Sequence, residues 1–219
     1  VWLGDIERID GWIQVVHNES MLQEHLNDSA GLLVLLPHMG NWELFNVFYR
    51  RYGQMTALYQ PPRQDYMQKV MQKVRVRHGN HMVPTTRSGL KQLYKTLREG
   101  GTAVILPDQV PAKGQFVPFF EQPALTDVLA SRLLKKTGAK VLGIAMVRSD
   151  EGLFEAHVLA PDSSIYEADE VTSIRAVNDL VQTCAEIAPK QYQWEYKRFR
   201  ERPAGSKKIY RFNKPSGVH

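Results

Sequence analysis

The sequence is poor in cysteine and contains no long apolar run, and both facts narrow the class of protein. Cys184 is the single cysteine among 219 residues, which excludes an internal disulfide framework and a zinc site built from several cysteines. No apolar run approaches the roughly 18–20 residues that cross a bilayer as a helix, so no transmembrane helix is predicted in these residues. Apolar residues make up 43% and charged residues 23%, which indicates a folded globular chain rather than a disordered one.

Charge is distributed in blocks, although the formal net charge is only +5. Residues 63–98 carry nine basic and one acidic side chains, and residues 190–219 carry nine basic and two acidic ones. Residues 149–189 carry nine acidic side chains and one basic side chain. Such blocks indicate surfaces that face an anionic partner, or solvated helix faces whose charges balance in three dimensions, and charge alone leaves both interpretations open.

Short apolar runs alternate with longer amphipathic stretches, which favours an α/β fold with a mostly parallel or mixed central sheet flanked by helices. Strands are predicted over residues 32–36, 55–59, 102–106 and 141–147, with 154–159 pairing antiparallel to the last. Helices are predicted over 65–78, 88–99, 126–137 and 171–187. Pro118 interrupts the apolar residues 116–120, which are therefore predicted to form an edge strand or an extended lining segment.

The end of the first predicted strand carries the candidate chemistry. His38 follows that strand directly, and Glu43 comes five residues later, in the predicted first turn of the next helix. Catalytic groups of open α/β sheets gather at the carboxyl ends of strands, and a carboxylate beside an imidazole fixes its tautomer and leaves the other nitrogen as a base. Gly40 and Asn41 lie between them, where backbone N–H groups suit a phosphate or an oxyanion.

No protein nucleophile accompanies this pair. The sequence has no G-x-S-x-G elbow, and Cys184 lies among helix residues, where a buried structural thiol is expected. A base without a nucleophile indicates that the attacking group belongs to the substrate, as a hydroxyl or amine, or is an activated water.

Several motifs resemble, in consistent order over residues 30–203, those of the lipid A biosynthesis lauroyl/myristoyl acyltransferases, within the bacterial lysophospholipid acyltransferase-like superfamily. The segment 38–43 resembles the family's H-x4-D/E block, and 106–109 (LPDQ) matches its L-P-D-Q block. The further matches are 59–61 (YQP, with Gln60 in place of a basic residue), 75–79 (RVRHG), 116–120 (FVPFF), Thr126 and 189–203 (PKQYQWEYKRFRERP).

The resemblance implies an O-acyltransferase of glycerol-3-phosphate acyltransferase-like αβα architecture that needs no cofactor and forms no acyl-enzyme. His38 would deprotonate the acceptor hydroxyl and Glu43 would orient His38. A fatty acyl chain would then pass from acyl carrier protein, or from acyl-CoA, to a lipid A precursor or a related glycolipid. For substrate binding the resemblance implies Asn41, Arg75, Arg77, Asp108 and Gln109, and for an acyl channel it implies Phe116, Phe119 and Phe120.

The resemblance also implies a single catalytic domain over residues 1–203, followed by a basic tail over 204–219. Family members begin with an apolar anchoring helix, which this sequence does not supply. The chain is therefore predicted to be a core without its anchor, acting at the cytoplasmic face of the bacterial inner membrane, with its basic C-terminal residues against anionic lipid.

Three alternatives remain at this stage. One is the same chemistry on another glycolipid or phospholipid with an acyl-CoA donor. Another is a non-catalytic module that binds anionic lipid or nucleic acid, although no nucleic-acid motif is present and no nucleic-acid partner is predicted. The last is a metal site from His78 and His81 with His38 and Glu43, whose H-x2-H spacing is unsuitable, so no metal is predicted. Acyl chain length, acceptor and donor stay open.

Overall fold

The computed structural model describes residues 5–60 and 79–210. Its strands are β1 Ile13–His17, β2 Leu32–Leu35, β3 Met55–Tyr59, β4 His81–Pro84, β5 Thr102–Ile105, β6 Gln115–Phe119, β7 Gln122–Thr126, β8 Lys140–Arg148 and β9 Phe154–Leu159. Its α-helices are α1 Ile6–Asp10, α2 Glu19–Leu26, α3 Phe45–Phe48, α4 Arg87–Arg98, α5 Leu129–Thr137 and α6 Glu170–Ile187. No helix in the part of the chain that the structure describes is long and apolar enough to cross a membrane.

The central sheet has seven strands in the order β1-β9-β8-β2-β5-β3-β4. β8, β2, β5, β3 and β4 are mutually parallel, whereas β9 runs antiparallel to β8, and β1 pairs parallel with β9. β2 lies in the middle and is buried along its whole length, which explains why its sequence is a continuous apolar run rather than an alternation. The predicted mixed sheet, including the antiparallel return of β9, is confirmed.

Helices cover both faces of this sheet, so the predicted αβα layering is also confirmed. One face packs against α1, α2 and α3, with Val34 of β2 among its buried residues. The other packs against α4, α5 and α6, with Leu33 and Leu35 of the same strand. Neighbouring residues of β2 therefore enter opposite cores, as the two-residue period of a strand requires.

Three sequence-based boundaries differ from the structure. Residues 116–120 belong to a separate antiparallel hairpin of β6 and β7, in which Pro118 faces Pro123, and Thr126 ends β7 instead of starting a helix. α5 begins only at Leu129, because Thr126 is the last residue of β7 and residues 127–128 connect the strand to the helix. α4 begins at Arg87 with Thr86 rather than Ser88 as its N-cap. The helix predicted over 65–78 lies outside the described residues.

The N-terminal elements α1, β1 and α2 were absent from the sequence prediction. Each of them places a single residue in the core, namely Ile9, Ile13 and Leu22. β1 shows no regular alternation because its pairing with β9 is irregular between Ile13 and Val15. Periodicity, the main signal for a strand or a helix, is therefore weak in this region.

Candidate active site

His38 lies just beyond the carboxyl end of β2, in a tight turn. Its ring is almost completely buried, and the residue as a whole is 8% exposed. Gly40 follows with φ of +53°, and a Cβ at that position would lie 1.9 Å from the carbonyl oxygen of Met146. Asn41 donates its backbone N–H to that same carbonyl at 3.1 Å. A glycine is thus required for the turn that holds the histidine against β8.

Asp108 is the carboxylate that holds the His38 ring. Its Oδ1 lies 2.7 Å from His38 Nδ1, and its Oδ2 accepts the backbone N–H of His38 at 2.8 Å. The strand register explains the meeting, because Leu35 of β2 pairs with Ile105 of β5 and each functional residue lies three positions further along its chain. Asp108 is 4% exposed, so the pair is shielded from water on the carboxylate side.

The second imidazole nitrogen of His38 is contacted by Gln109. Because Asp108 accepts from Nδ1, the neutral ring carries its proton there and has a lone pair on Nε2. Gln109 Nε2 lies 3.0 Å from that nitrogen, so the amide N–H donates to the lone pair. The rings of Trp42 and Tyr196 flank the imidazole, with centroids 5.3 and 5.5 Å from its own.

A buried layer of polar groups lies behind Asp108. Tyr192 is buried near the Asp108 carboxylate, and burial first, then the negative charge of Asp108, raise the pKa of Tyr192. Arg198, 2% exposed, donates to the carbonyl of Leu125, to Thr126 Oγ1 at 2.8 Å and to Asn178 Oδ1 at 3.2 Å. Burial lowers the pKa of Arg198, while Tyr192 and Asp108 oppose that shift. The closing run 189–203 therefore contributes residues that support the site from within.

A pocket of about 600 Å³ opens beside His38 and Gln109. Apolar side chains form most of its wall, and the described lining includes Leu36, Phe45, Met55, Ala57, Met82, Val104 and Leu129. The pocket is bounded by β2, β3, β4, β5 and the starts of α3 and α5. A largely apolar cavity with a few polar groups at one end is typical of a site for a ligand with a long apolar part.

The predicted acyl-channel phenylalanines do not contribute to the described wall of this pocket. Phe119 is 1% exposed and packs in a core cluster with Tyr192 and Phe199, whereas Phe116 is 40% exposed. Phe120 packs against the same cluster. Their role as an acyl channel stays a prediction, and the cavity next to the imidazole has other walls.

The remaining predicted site residues are distributed differently. Arg75 and Arg77 lie outside the described residues. Asn41 lines a second, more polar depression of about 770 Å³, with Arg148, Asp150 and Gln191 around it. Glu43 is half-buried in a short 3-10 helix over Trp42–Leu44, and its predicted action on His38 stays a prediction beside the observed Asp108 contact.

Sequence reasoning placed Asp108 and Gln109 among substrate-binding residues and missed their direct contacts with the imidazole. The signal was available, since both follow a buried strand as His38 does, but recognising it required knowing that β2 and β5 are neighbours. Cys184 is fully buried on α6, and burial raises the pKa of its thiol to about 12, consistent with the predicted structural role.

A buried imidazole–carboxylate pair whose second nitrogen faces an apolar pocket is the arrangement of an enzyme that uses a general base. A family model described as bacterial lipid A biosynthesis acyltransferase matches residues 1–201. The chain belongs to this family and is an acyltransferase, as the motifs predicted.

Curated relatives agree with this assignment. The palmitoleoyltransferase of lipid A biosynthesis from Escherichia coli K12 is 26% identical over 212 residues, which cover 95% of this chain and 68% of the relative. The lauroyltransferase from the same organism is 27% identical over 93% of this chain and 67% of the relative. The myristoyltransferase from that organism is 25% identical over 87% of this chain and 60% of the relative. A solved 1-acyl-sn-glycerophosphate acyltransferase, PlsC from Thermotoga maritima, is similar at 11% identity with a TM-score of 0.48, covering 84% of this chain and 80% of that one.

Proposed function

We propose that this chain transfers a fatty acyl group from an acyl thioester to a hydroxyl group of a lipid A precursor, with His38 as the general base. The observation that carries the proposal is the contact of His38 Nδ1 with Asp108 Oδ1 at 2.7 Å, beside a largely apolar pocket of about 600 Å³. Family membership supports the chemistry, and the names of the relatives support the acceptor.

The tautomer of His38, with its proton on Nδ1, determines where each proton goes during the reaction. The acceptor O–H gives its proton to His38 Nε2, and Asp108 stabilises the imidazolium that forms. The alkoxide oxygen forms a bond to the thioester carbonyl carbon, giving a tetrahedral oxyanion. Collapse of that intermediate breaks the carbon–sulfur bond, and the imidazolium returns its proton to the thiolate. The products are an ester and a free thiol.

Gln109 must leave His38 Nε2 before the acceptor hydroxyl binds, because one lone pair accepts one strong hydrogen bond. Once released, its amide N–H remains close to the reacting carbonyl and is available to the oxyanion. Glu43, on the first turn after His38, supports the same region of the site in this proposal. Arg75 and Arg77 are proposed to bind the phosphate groups of the acceptor, as the family motif implies.

The acyl chain is proposed to occupy the pocket beside His38, whose apolar walls exclude water from it. Acyl carrier protein is the proposed donor, because acidic carrier surfaces complement basic ones. Arg87, Lys91, Lys95 and Arg98 are exposed along α4 and belong to the basic block 63–98.

The proposed location is the cytoplasmic face of the inner membrane. Trp194 and Tyr196 are 39% and 45% exposed, and Lys207 and Lys208 follow in the exposed C-terminal segment. Aromatic and basic side chains together suit an anionic lipid surface.

The test is transfer of a labelled acyl chain from acyl carrier protein to a lipid A precursor by purified protein in detergent. The change His38→Ala should lower the rate about 10²–10⁴-fold, since general-base catalysis contributes that much. His25→Ala, on the partly exposed surface of α2, is the matched control and should retain the wild-type rate.

A wild-type rate in His38→Ala would overturn the mechanism. Running the same assay with acyl-CoA, and with a phospholipid acceptor, separates the donor from the acceptor: transfer only to the phospholipid would overturn the proposed acceptor and leave His38 as the base.

A further inference from the structure

Two histidines and a glutamate meet at the edge of the central sheet, away from the pocket beside His38. His17 Nε2 lies 2.7 Å from Glu155 Oε2, and His157 Nε2 lies 3.5 Å from the same oxygen. The two imidazole rings stack with centroids 4.1 Å apart and planes 13° from parallel. One ligand atom from each residue lies within 4.8 Å of the other two.

The strand pairing forces this meeting. His17 of β1 is the register partner of His157 of β9, so the two imidazoles project side by side from neighbouring strands. Glu155 lies two residues before His157, and alternate residues of a strand share a face. The cluster therefore rests on backbone hydrogen bonds rather than on a flexible loop.

These three donors match a known class of metal site. Two imidazole nitrogens and one carboxylate oxygen form a His₂Glu set, which binds Zn²⁺ with a further position for water. Zinc bonds of about 2.0–2.2 Å in a tetrahedron separate ligand atoms by roughly 3.3–3.6 Å. The 3.5 Å separation of His157 from Glu155 already lies in that range, and the 2.7 Å separation of His17 needs to widen by less than about 1 Å. Because the two imidazole planes are only 13° from parallel, a side-chain rotation must also turn both Nε2 lone pairs towards the ion.

We propose that His17, Glu155 and His157 form a binding site for a divalent transition-metal ion of the Zn²⁺ class. The ion would replace the proton shared between His17 and Glu155 and would join β1 to β9. A site of three protein ligands on partly exposed side chains leaves a coordination position for water. The proposal concerns the sheet edge and does not depend on the acyl-transfer mechanism.

Exposure supports entry of an ion. The side chains of His17 and Glu155 are 42% and 31% exposed, and that of His157 is 18% exposed. A single hydrogen bond explains why His17 lies beside Glu155. It does not explain why Nε2 of the second histidine, His157, also lies 3.5 Å from the same Glu155 oxygen.

The experiment is a metal titration of purified protein that carries no polyhistidine tag, because a tag would itself bind zinc. Zn²⁺ should bind with a stoichiometry of one and raise Tm by several degrees, whereas Mg²⁺ should not, since Mg²⁺ prefers oxygen ligands. Co²⁺ should give the visible absorption of a tetrahedral nitrogen–oxygen site.

Each of His17→Ala, His157→Ala and Glu155→Gln should weaken Zn²⁺ binding at least about tenfold and abolish the Co²⁺ absorption. His81→Ala is the matched control, because His81 is exposed on β4, the strand at the opposite edge of the sheet. Binding in this variant should equal that of the wild type.

Absence of saturable Zn²⁺ binding in the wild-type protein would overturn the proposal. So would binding that survives in both His17→Ala and Glu155→Gln, which change partly exposed side chains. Acyl transfer is not the measured quantity, so failure here and failure of the proposed function are distinguishable.

Discussion

Two imidazole–carboxylate pairs in this molecule have the same nitrogen–oxygen distance and opposite surroundings, although His38 uses Nδ1 and His17 uses Nε2. His38 with Asp108 and His17 with Glu155 are each separated by 2.7 Å between nitrogen and oxygen. The first pair has side chains 11% and 2% exposed, whereas those of the second are 42% and 31% exposed. Distance alone therefore does not identify a catalytic base.

The difference lies in what surrounds each pair. The His38 pair has a buried tyrosine and arginine behind the carboxylate and an apolar pocket in front of the imidazole. Low polarity strengthens the electrostatic support that Asp108 gives to an imidazolium, and the pocket brings a substrate to the other nitrogen. The His17 pair has a second histidine instead, so its chemistry is that of a ligand set.

The largest effect should come from removing the negative charge in each pair. Asp108→Asn keeps the shape but loses the charge that stabilises the imidazolium and the tautomer, so kcat for acyl transfer should fall about 10²–10⁴-fold. Glu155→Gln, the equivalent change in the exposed pair, should leave kcat within about twofold. Steady-state kinetics on both variants checks the contrast, and equal losses would contradict it.

The buried support of the first pair can be tested through stability. Arg198→Met removes the guanidinium that donates to acceptors on Leu125, Thr126 and Asn178. The free energy of unfolding should therefore fall by about 2–4 kcal/mol. Arg132→Met is the matched control, because Arg132 forms an exposed ion pair with Glu170. Urea unfolding of both variants should show a far smaller loss for the control.

A change at Gln109 tests the nitrogen of His38 that Asp108 does not hold, which faces the pocket. Gln109→Ala should lower kcat roughly 10–100-fold, because the oxyanion loses a donor while the base itself remains intact. The exposed Gln115→Ala on β6 is the control and should behave as wild type. A Gln109→Ala rate above that of the wild type would instead mean that the amide only blocks the base.

The smallest expected effect concerns pH at the exposed cluster. The pKa of His157 is lowered from 6.5, by burial first and by His17 second. The unfolded chain then binds a proton more readily than the folded one, so stability from this group is complete above about pH 6.5 and declines as the pH falls below it. In metal-free protein, His157→Asn should flatten that part of the curve of unfolding free energy against pH.

Much of the central sheet was predictable because its strands are continuous apolar runs that end in proline or polar residues. The four buried residues of β2 illustrate this, and the position of His38 after them followed directly. The partner of His38 was not predictable in the same way. Glu43 is near in sequence, but Asp108 is 70 residues away and reaches the ring only because β2 and β5 are adjacent.

The metal-type cluster was missed for the same physical reason. His17 and Glu155 are 138 residues apart, and β1 lacks the regular alternation that marks a strand in sequence. Of the hairpin of β6 and β7, only β6 was predicted, because Pro118 within an apolar run indicates an edge strand. β7 was not predicted, because Pro123 near its start argues against a strand in sequence.

The pairing of β1 with β9 also determines the order in which the chain can complete its sheet. β1 has no partner strand until residues near Glu155 exist, 138 positions after His17. At about 5–20 residues per second, a growing chain takes roughly 7–28 s to make that stretch. Until β9 has been made, β1 cannot form the ladder that it shares with this strand, so this edge of the sheet is completed only after that interval.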